Sequence, residues 1–237
     1  MVTVSYDIVY RDLKKKIISG KYPVKSLLPS EPQLCAMFNV SRTTIRKAVD
    51  ILQKEGYVSP QRGIGTVVMS NRATQDLNKL SSMTQTLTEK GFKVTLKEIE
   101  ISIEGASQEV AEHLNIEVGD KVAYIFRVMC ASNVPIAILR NYIPYEYVNG
   151  IEQYSGEFTS LYKLLKEEYY LDIKMTRDKL TATNANAEEA ELLSVAYGFA
   201  LINVHRECVS KDRVICYDIV NARSDMYEYK TNLFNND

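Results

Sequence analysis

The sequence is poor in the residues from which catalytic and metal centres are usually assembled. Its 237 residues include no tryptophan and only two histidines, His113 and His205. The four cysteines (Cys35, Cys130, Cys208 and Cys216) form no C-x-x-C pair, which excludes a disulfide framework and a cysteine zinc site. These six residues are expected in ordinary packing or surface positions. There is no nucleophile elbow, phosphate-cradling Gly-rich loop or metal-ligand spacing, so neither a cofactor nor a catalytic centre is expected. No stretch approaches the ~20 apolar residues of a membrane-spanning helix. Met1 to Tyr10 lacks the basic-then-apolar plan of a signal peptide, and the chain is expected to stay in the cytoplasm.

What is present is ordinary in amount and uneven in arrangement. Hydrophobic residues at 46% and charged residues at 25% match a soluble globular protein, and the length suits two domains. The net charge of −1 conceals a segregation. Residues 1 to 70 hold 11 Lys and Arg against 5 Asp and Glu, whereas the remainder holds 18 against 25. A basic third joined to an acidic remainder points to a polyanionic partner for the first part alone.

Tyr6, Val9, Tyr10, Leu13 and Ile17 recur at helical spacing, with Lys14 to Lys16 near the end and Gly20 as a stop, predicting a helix over about residues 5 to 19. Ser30-Glu31-Pro32-Gln33 reads as a second helix start, with Ser30 as cap, Gln33 closing a capping box and Pro32 tolerated in the first turn. Ser41 caps a third helix whose buried stripe is Ile45, Ala48, Val49 and Leu52, ended by Gly56. Two short helices so close together make a helix-turn-helix. The first turn of the later helix is rich in hydroxyls and arginine, which suits a major groove. Arg42 and Arg46 share one face there, and each can fork a guanine edge or clamp a phosphate. Residues 57–60 and 66–69 then predict a hairpin wing, with Arg62 at its tip and Gly63 and Gly65 permitting the turn.

These residues resemble the winged helix-turn-helix of GntR-type bacterial transcription regulators. The match runs over residues 5 to 70 and is carried by Leu28-Pro29-Ser30-Glu31, by the run from Val40 to Ala48, by Glu55-Gly56-Tyr57 and by Arg62-Gly63-Ile64-Gly65-Thr66. The resemblance implies DNA contacts at Ser41, Arg42, Thr43, Thr44, Arg46, Arg62, Gly63 and Gly65. Pro32 departs from the pattern, because many members carry a DNA-contacting basic residue there.

Residues 71–80 are polar and read as an interdomain linker. Ser81 to Thr84 begins a short capped helix, and Val94 to Ile103 nearly alternates, as a strand does. A repeat follows at an offset of 79 residues, pairing Glu109 with Glu188, Leu114 with Leu193, Gly119 with Gly198 and Arg127 with Arg206. Each copy reads as helix, Gly turn, strand, hairpin turn and strand, with strands over about 121–130, 136–143, 200–210 and 214–223. A helix over 160–170 and a strand over 173–183 lie between the copies. A duplicated unit of this kind predicts an α+β domain with a mainly antiparallel, pseudo-twofold sheet over residues 81–237.

This half resembles the UTRA effector-binding domain of the HutC subfamily. Arg127, Pro135-Ile136-Ala137, Tyr142-Ile143-Pro144, Ser160-Leu161-Tyr162, the Glu189 to Leu193 run, and Arg223 with Asp225 and Tyr227 carry the match. The resemblance implies a small, often phosphorylated, sugar-like effector and a pocket lined by Ser81, Ser82, Met83, Thr84, Arg127, Ser160, Tyr162 and Arg223. Leu139, Cys216 and Met129 stand where members often carry Glu, Glu and Arg. These departures argue against an amino-sugar phosphate and for a different or less polar effector.

The expected function is a ligand-responsive transcription regulator, a repressor released from its operator by a small metabolite. It is expected to act as a homodimer on a palindromic double-stranded DNA operator, without a membrane partner. Two other readings stand beside it. An enzyme acting on a small metabolite, with a regulatory DNA-binding domain, lacks a recognisable catalytic motif. An architectural DNA-binding protein has no need of a large acidic second domain.

Overall fold

The computed structural model describes residues 5–69, 72–154, 156 and 158–234. The expected domain boundary at Ser70 and Asn71 lies outside them, as do the outermost ends of both expected domains. The chain divides into two compact units, Met1–Arg72 and Ala73–Asp237.

The first unit contains α1 (Tyr6–Ile18), α2 (Glu31–Phe38), α3 (Arg42–Lys54), β1 (Val58–Gln61) and β2 (Gly65–Val68). Val9, Leu13 and Ile17 of α1 meet Ile45, Ala48 and Leu52 of α3, and all six are fully buried. The capping box of Ser30 and Gln33 starts α2, and Asn39 ends it in the left-handed region at φ 52°. Ser41 Oγ accepts the Thr44 N–H at 3.3 Å and starts α3. Buried Lys14 is tied to Glu55 at 2.9 Å and to the Tyr10 hydroxyl at 2.7 Å, bracing α1 against the end of α3. β1 and β2 pair antiparallel from Val58↔Val68 to Gln61↔Gly65. At the tip of that hairpin Gly63 and Gly65 have φ of 78° and 126°, values L side chains rarely adopt.

The second unit is built on a six-stranded antiparallel sheet in the order β4-β5-β6-β9-β8-β7. The repeat seen in the sequence governs it. The series β4 (Val94–Gly105), α5 (Gln108–Leu114), β5 (Lys121–Ala131) and β6 (Val134–Pro144) recurs as β7 (Met175–Asn184), α7 (Ala187–Leu193), β8 (Ala200–Ser210) and β9 (Arg213–Arg223). Arg140 and Ile219, equivalent under the 79-residue offset, pair with each other, so the pseudo-twofold axis passes between β6 and β9. One face carries α5 and α7: Val110, Ala111 and Leu114 cover Val122, while Ala190 and Leu193 cover Val128 and Ile138. The other face is covered by α6 (Leu161–Glu168), whose Leu161, Leu164 and Leu165 pack on Ala123, Ile125 and Ile143.

The structure corrects the reading of residues 71–80 as linker. Ala73–Asp76 forms a strand, β3, paired in parallel with β10 (Tyr227–Lys230) near the end of the chain. The pairing holds because Ala73 and Gln75 point inward and are buried, and the Tyr227 hydroxyl donates to Gln75 Oε1 at 2.7 Å. α4 (Met83–Glu89) follows, anchored by Met83 and Leu87.

Candidate functional site

The first unit presents a polar surface at the start of α3 and at the hairpin tip. Ser41, Arg42, Thr43, Arg46, Arg62, Gly63 and Gly65 are exposed, and Thr44 is half-buried. The stripe of Ile45, Ala48 and Leu52 turns inward, which aims Arg42, Thr43 and Arg46 outward. Two details qualify this surface. Ser41 Oγ lies 3.0 Å from Thr44 Oγ1, so both hydroxyls are partly engaged in the helix cap. Arg46 Nε contacts both carboxylate oxygens of Glu31 on α2, at 3.0 and 3.1 Å. That contact holds the Arg46 pKa above its ordinary value, chiefly through the hydrogen bond to Glu31. The pair is solvent-exposed and therefore weak, so a phosphate or base edge can compete for the guanidinium.

In the second unit, a polar network is buried beneath α4 and α6 on the α6 face of the sheet. Cross-strand register puts Arg127 beside Leu139, and Asn141, Asp218 and Arg206 in the next row of that face. Arg127 is 3% exposed; its Nη2 donates to Asn141 Oδ1 at 2.8 Å, and its Nη1 reaches the Thr159 carbonyl at 3.4 Å. Its Nε is buried and makes no hydrogen bond. Burial pulls the guanidinium below its ordinary pKa, with the nearby Asp218 acting against that. Asp218 accepts from Asn141 Nδ2 at 2.5 Å, from the Tyr162 hydroxyl at 2.6 Å and from Cys216 Sγ at 2.8 Å. Burial, reinforced by Asp218, keeps the Tyr162 hydroxyl protonated.

A cavity of about 30 Å³ lies at the centre of this network, lined among others by Gln75, Met83, Thr84, Arg127, Tyr162 and Asp218. An open groove of about 420 Å³ between α4 and α6 shares Ser82, Thr84 and Tyr162 with it. Of the residues expected to bind effector, Ser82, Met83, Thr84, Arg127 and Tyr162 line the cavity. Ser81 sits at its edge, where its carbonyl accepts from Arg206 and Gln75, each at 3.2 Å. Ser160 lines the groove, not the cavity, because its hydroxyl caps α6 by accepting the Lys163 N–H.

Arg223 is not brought to the cavity. It forks Asp225 and donates to the carbonyls of Pro135 and Leu193, tying the end of β9 to the end of α7. The sequence reading also missed Gln75, Asn141, Arg206 and Asp218. The repeat that singled out Arg206 is the one signal that could have found part of this set. Leu139 lines the cavity, Cys216 is buried and donates to the lining residue Asp218, and Met129 is buried. The three departures from the family pattern thus give the Arg127 side of the network an apolar neighbourhood.

Among the described residues, no helix is long and apolar enough to cross a membrane. The family model "Bacterial regulatory proteins, gntR family" matches residues 5–68, and the UTRA domain model matches residues 89–228. The chain is 29% identical over 199 residues to the HTH-type transcriptional regulator YurK of Bacillus subtilis, covering 84% of this chain and 81% of that one. It is 27% identical over 205 residues to the HTH-type transcriptional repressor NagR of the same organism, covering 86% and 84%. The crystal structure of PhnF from Mycobacterium smegmatis has the same fold, with a TM-score of 0.68 at 22% identity, covering 95% of this chain and 99% of that one. The winged helix-turn-helix thus falls within the gntR match and the duplicated sheet domain within the UTRA match, and the chain belongs to the GntR family of bacterial transcription regulators, of the type that carries a UTRA domain.

Proposed function

We propose that the chain is a homodimeric repressor that leaves a palindromic operator when a small anionic metabolite, of the sugar-phosphate class, binds beside Arg127. One observation carries the effector reading. Arg127 Nε has no acceptor, and Arg127 Nη1 and Thr84 Oγ1 converge on a single neutral one, the Thr159 carbonyl, at 3.4 and 3.1 Å. An anion in the cavity satisfies all three donors and offsets a buried positive charge. Asp218, which also lines the cavity, accepts from a metabolite hydroxyl, and Leu139 packs on an apolar part of the ligand. Named repressors among the relatives, NagR included, support the direction of control.

The coupling follows from size. A cavity of about 30 Å³ holds little more than one water-sized body, so a metabolite must part the first turn of α4 from the sheet and extend into the adjoining groove. α4 is joined to β3, and β3 is the first element after the DNA-binding unit. Binding therefore acts on the segment that carries the reading head, and a coupling of about 1–3 kcal/mol changes operator affinity roughly 5- to 150-fold. The ligand must favour one state over the other for any response. We read the chain as a sensor rather than an enzyme, acting in the cytoplasm, in keeping with the transcription regulators among its relatives.

The test is a thermal-shift screen of phosphorylated and non-phosphorylated sugars, followed by operator titration with each stabilising compound. A stabilising ligand that lowers operator affinity in the wild type and not in Arg127→Met supports the reading. Equal operator release in Arg127→Met overturns the assigned anion site, and a monomer on operator DNA overturns the dimer.

A further inference from the structure

The two histidines of the chain, far apart in sequence, meet on the face of the sheet opposite Arg127. Glu109 and His113 lie four residues apart on α5 and so share one side of that helix, while His205 stands on β8. One ligating atom from each of the three lies within 4.8 Å of the other two. Two further groups frame them. Glu207 Oε1 is 2.8 Å from His113 Nδ1, and the Tyr217 hydroxyl donates to Glu109 Oε1 at 2.8 Å while meeting His205 Nδ1 at 2.5 Å. The Tyr217 ring stacks on His113 with centroids 4.1 Å apart.

We infer that Glu109, His113 and His205 form a binding site for a divalent transition-metal ion such as zinc, with Glu207 orienting His113. Two imidazoles and a carboxylate suit zinc, nickel and copper. Donors around a tetrahedral zinc, with bonds of about 2.0–2.2 Å, stand roughly 3.3 Å apart. Glu109 Oε1 and His205 Nδ1 already stand 3.7 Å apart, and the Glu109 side chain is 58% exposed and free to adjust. A cation held by these two atoms takes the place of the Tyr217 hydroxyl that now bridges them. Glu207 matches the carboxylate that commonly holds the other ring nitrogen of a metal-binding histidine.

Charge and access agree with this assignment. Glu109 and Glu207 oppose the charge of a dication, and Arg177, at 3.1 Å, pairs with the far oxygen of Glu207. His113 and His205 are each about one-third exposed or less, enough for an ion to arrive without opening the core. A second cluster, Cys208, Cys216 and Asp218, is fully buried and lies beside the Arg127 guanidinium, which opposes a cation there. The α5 site links the first half of the repeat to a strand of the second, so a bound ion braces the sheet across its pseudo-twofold axis.

The experiment uses untagged, full-length protein stripped with chelator and titrated with Zn²⁺ by calorimetry and with Co²⁺ by visible absorption. The expected result is one ion per chain, a tetrahedral cobalt spectrum without thiolate charge transfer, and a rise in Tm with zinc. His113→Gln and His205→Gln each abolish that rise. Glu207→Gln weakens binding by about 10- to 100-fold. Glu109→Gln, at an exposed position, repeats the test should either histidine variant fail to fold. Zinc binding unchanged in Glu109→Gln, no binding by the wild type, or a thiolate band that disappears in Cys208→Ser would each overturn the assignment.

Discussion

Arg127 and Arg206 occupy equivalent places in the two halves of one sheet, yet their surroundings are opposite in character. The register neighbours of Arg206 are Asp178 and Asp218, and Asp178 takes its guanidinium in a two-pronged contact at 2.7 and 2.5 Å. The corresponding neighbours of Arg127 are Ile99 and Leu139. Both halves hold a buried arginine; the charge of Arg206 is balanced within the protein, while Arg127 faces the cavity without a forked carboxylate.

The two arginines should therefore fail differently. Arg206→Met leaves Asp178, whose side chain is only 12% exposed, without its cation and should cost about 3–5 kcal/mol in urea unfolding. Arg127→Met removes a charge that burial already disfavours, while Asp218 keeps its bonds from Asn141, Tyr162 and Cys216. Its cost should be less than half as large, with the ligand response lost. Equal destabilisation by the two substitutions would contradict the asymmetry.

On the DNA-binding unit, Arg42→Ala should cost roughly 1–3 kcal/mol per half-site and relax sequence preference, as expected of a base-reading arginine. Arg62→Ala at the hairpin tip should weaken all sequences about equally and reduce the salt dependence. Glu31→Gln releases Arg46 and removes a negative charge from the DNA-facing side, so operator affinity should rise. Fluorescence anisotropy at two salt concentrations measures all three, and a fall in affinity for Glu31→Gln would show that Arg46 needs its partner for positioning.

Tyr227→Phe should separate stability from signalling. It leaves buried Gln75 Oε1 without its donor, at a cost of about 1–3 kcal/mol. Because Gln75 also holds the Ser81 carbonyl, the variant should bind effector and transmit it poorly to DNA. Calorimetry of ligand binding beside operator titration checks this; an unchanged response in the variant removes Gln75 from the route.

Alkaline titration reports on burial. Burial, helped by neighbouring tyrosines, raises the Tyr142 and Tyr169 pKa values to about 12 from an ordinary 10.0. Folded-state values above the unfolded ones mean that their contribution to stability is complete below pH 10 and is lost as pH rises towards 12. Tyrosinate absorbance should show a late-titrating class, and Tyr142→Phe should move the alkaline unfolding midpoint upward.

Much of the architecture could be read from the chain because local and global signals agreed. Ser41, the Ile45 stripe and the Arg62-Gly63 tip each carry a short-range mark, and the repeat placed β5, β6, β8 and β9 within a few residues. β3 was illegible because its buried alternate residue is Gln75, a polar side chain that hides the period, and its partner strand lies at the far end of the chain. Arg223 was assigned to the pocket by motif, whereas geometry gives it to Asp225 and two carbonyls. His113 and His205 read singly as ordinary packing or surface residues; the juxtaposition exists only once α5 folds against β8.

The parallel pairing of β3 with β10 also determines how the protein bears load. Pulling on the chain at Ala73 does not reach the broad sheet directly. It is taken first by a four-residue zipper whose other half is the C-terminal strand and whose register bonds run from Tyr227↔Ala73 to Lys230↔Asp76. Strand β10, about 150 residues further along the sequence, thus serves as a mechanical anchor for β3. A chain shortened before Tyr227 would keep all six strands of the broad sheet while leaving β3 without its only paired strand among the described residues.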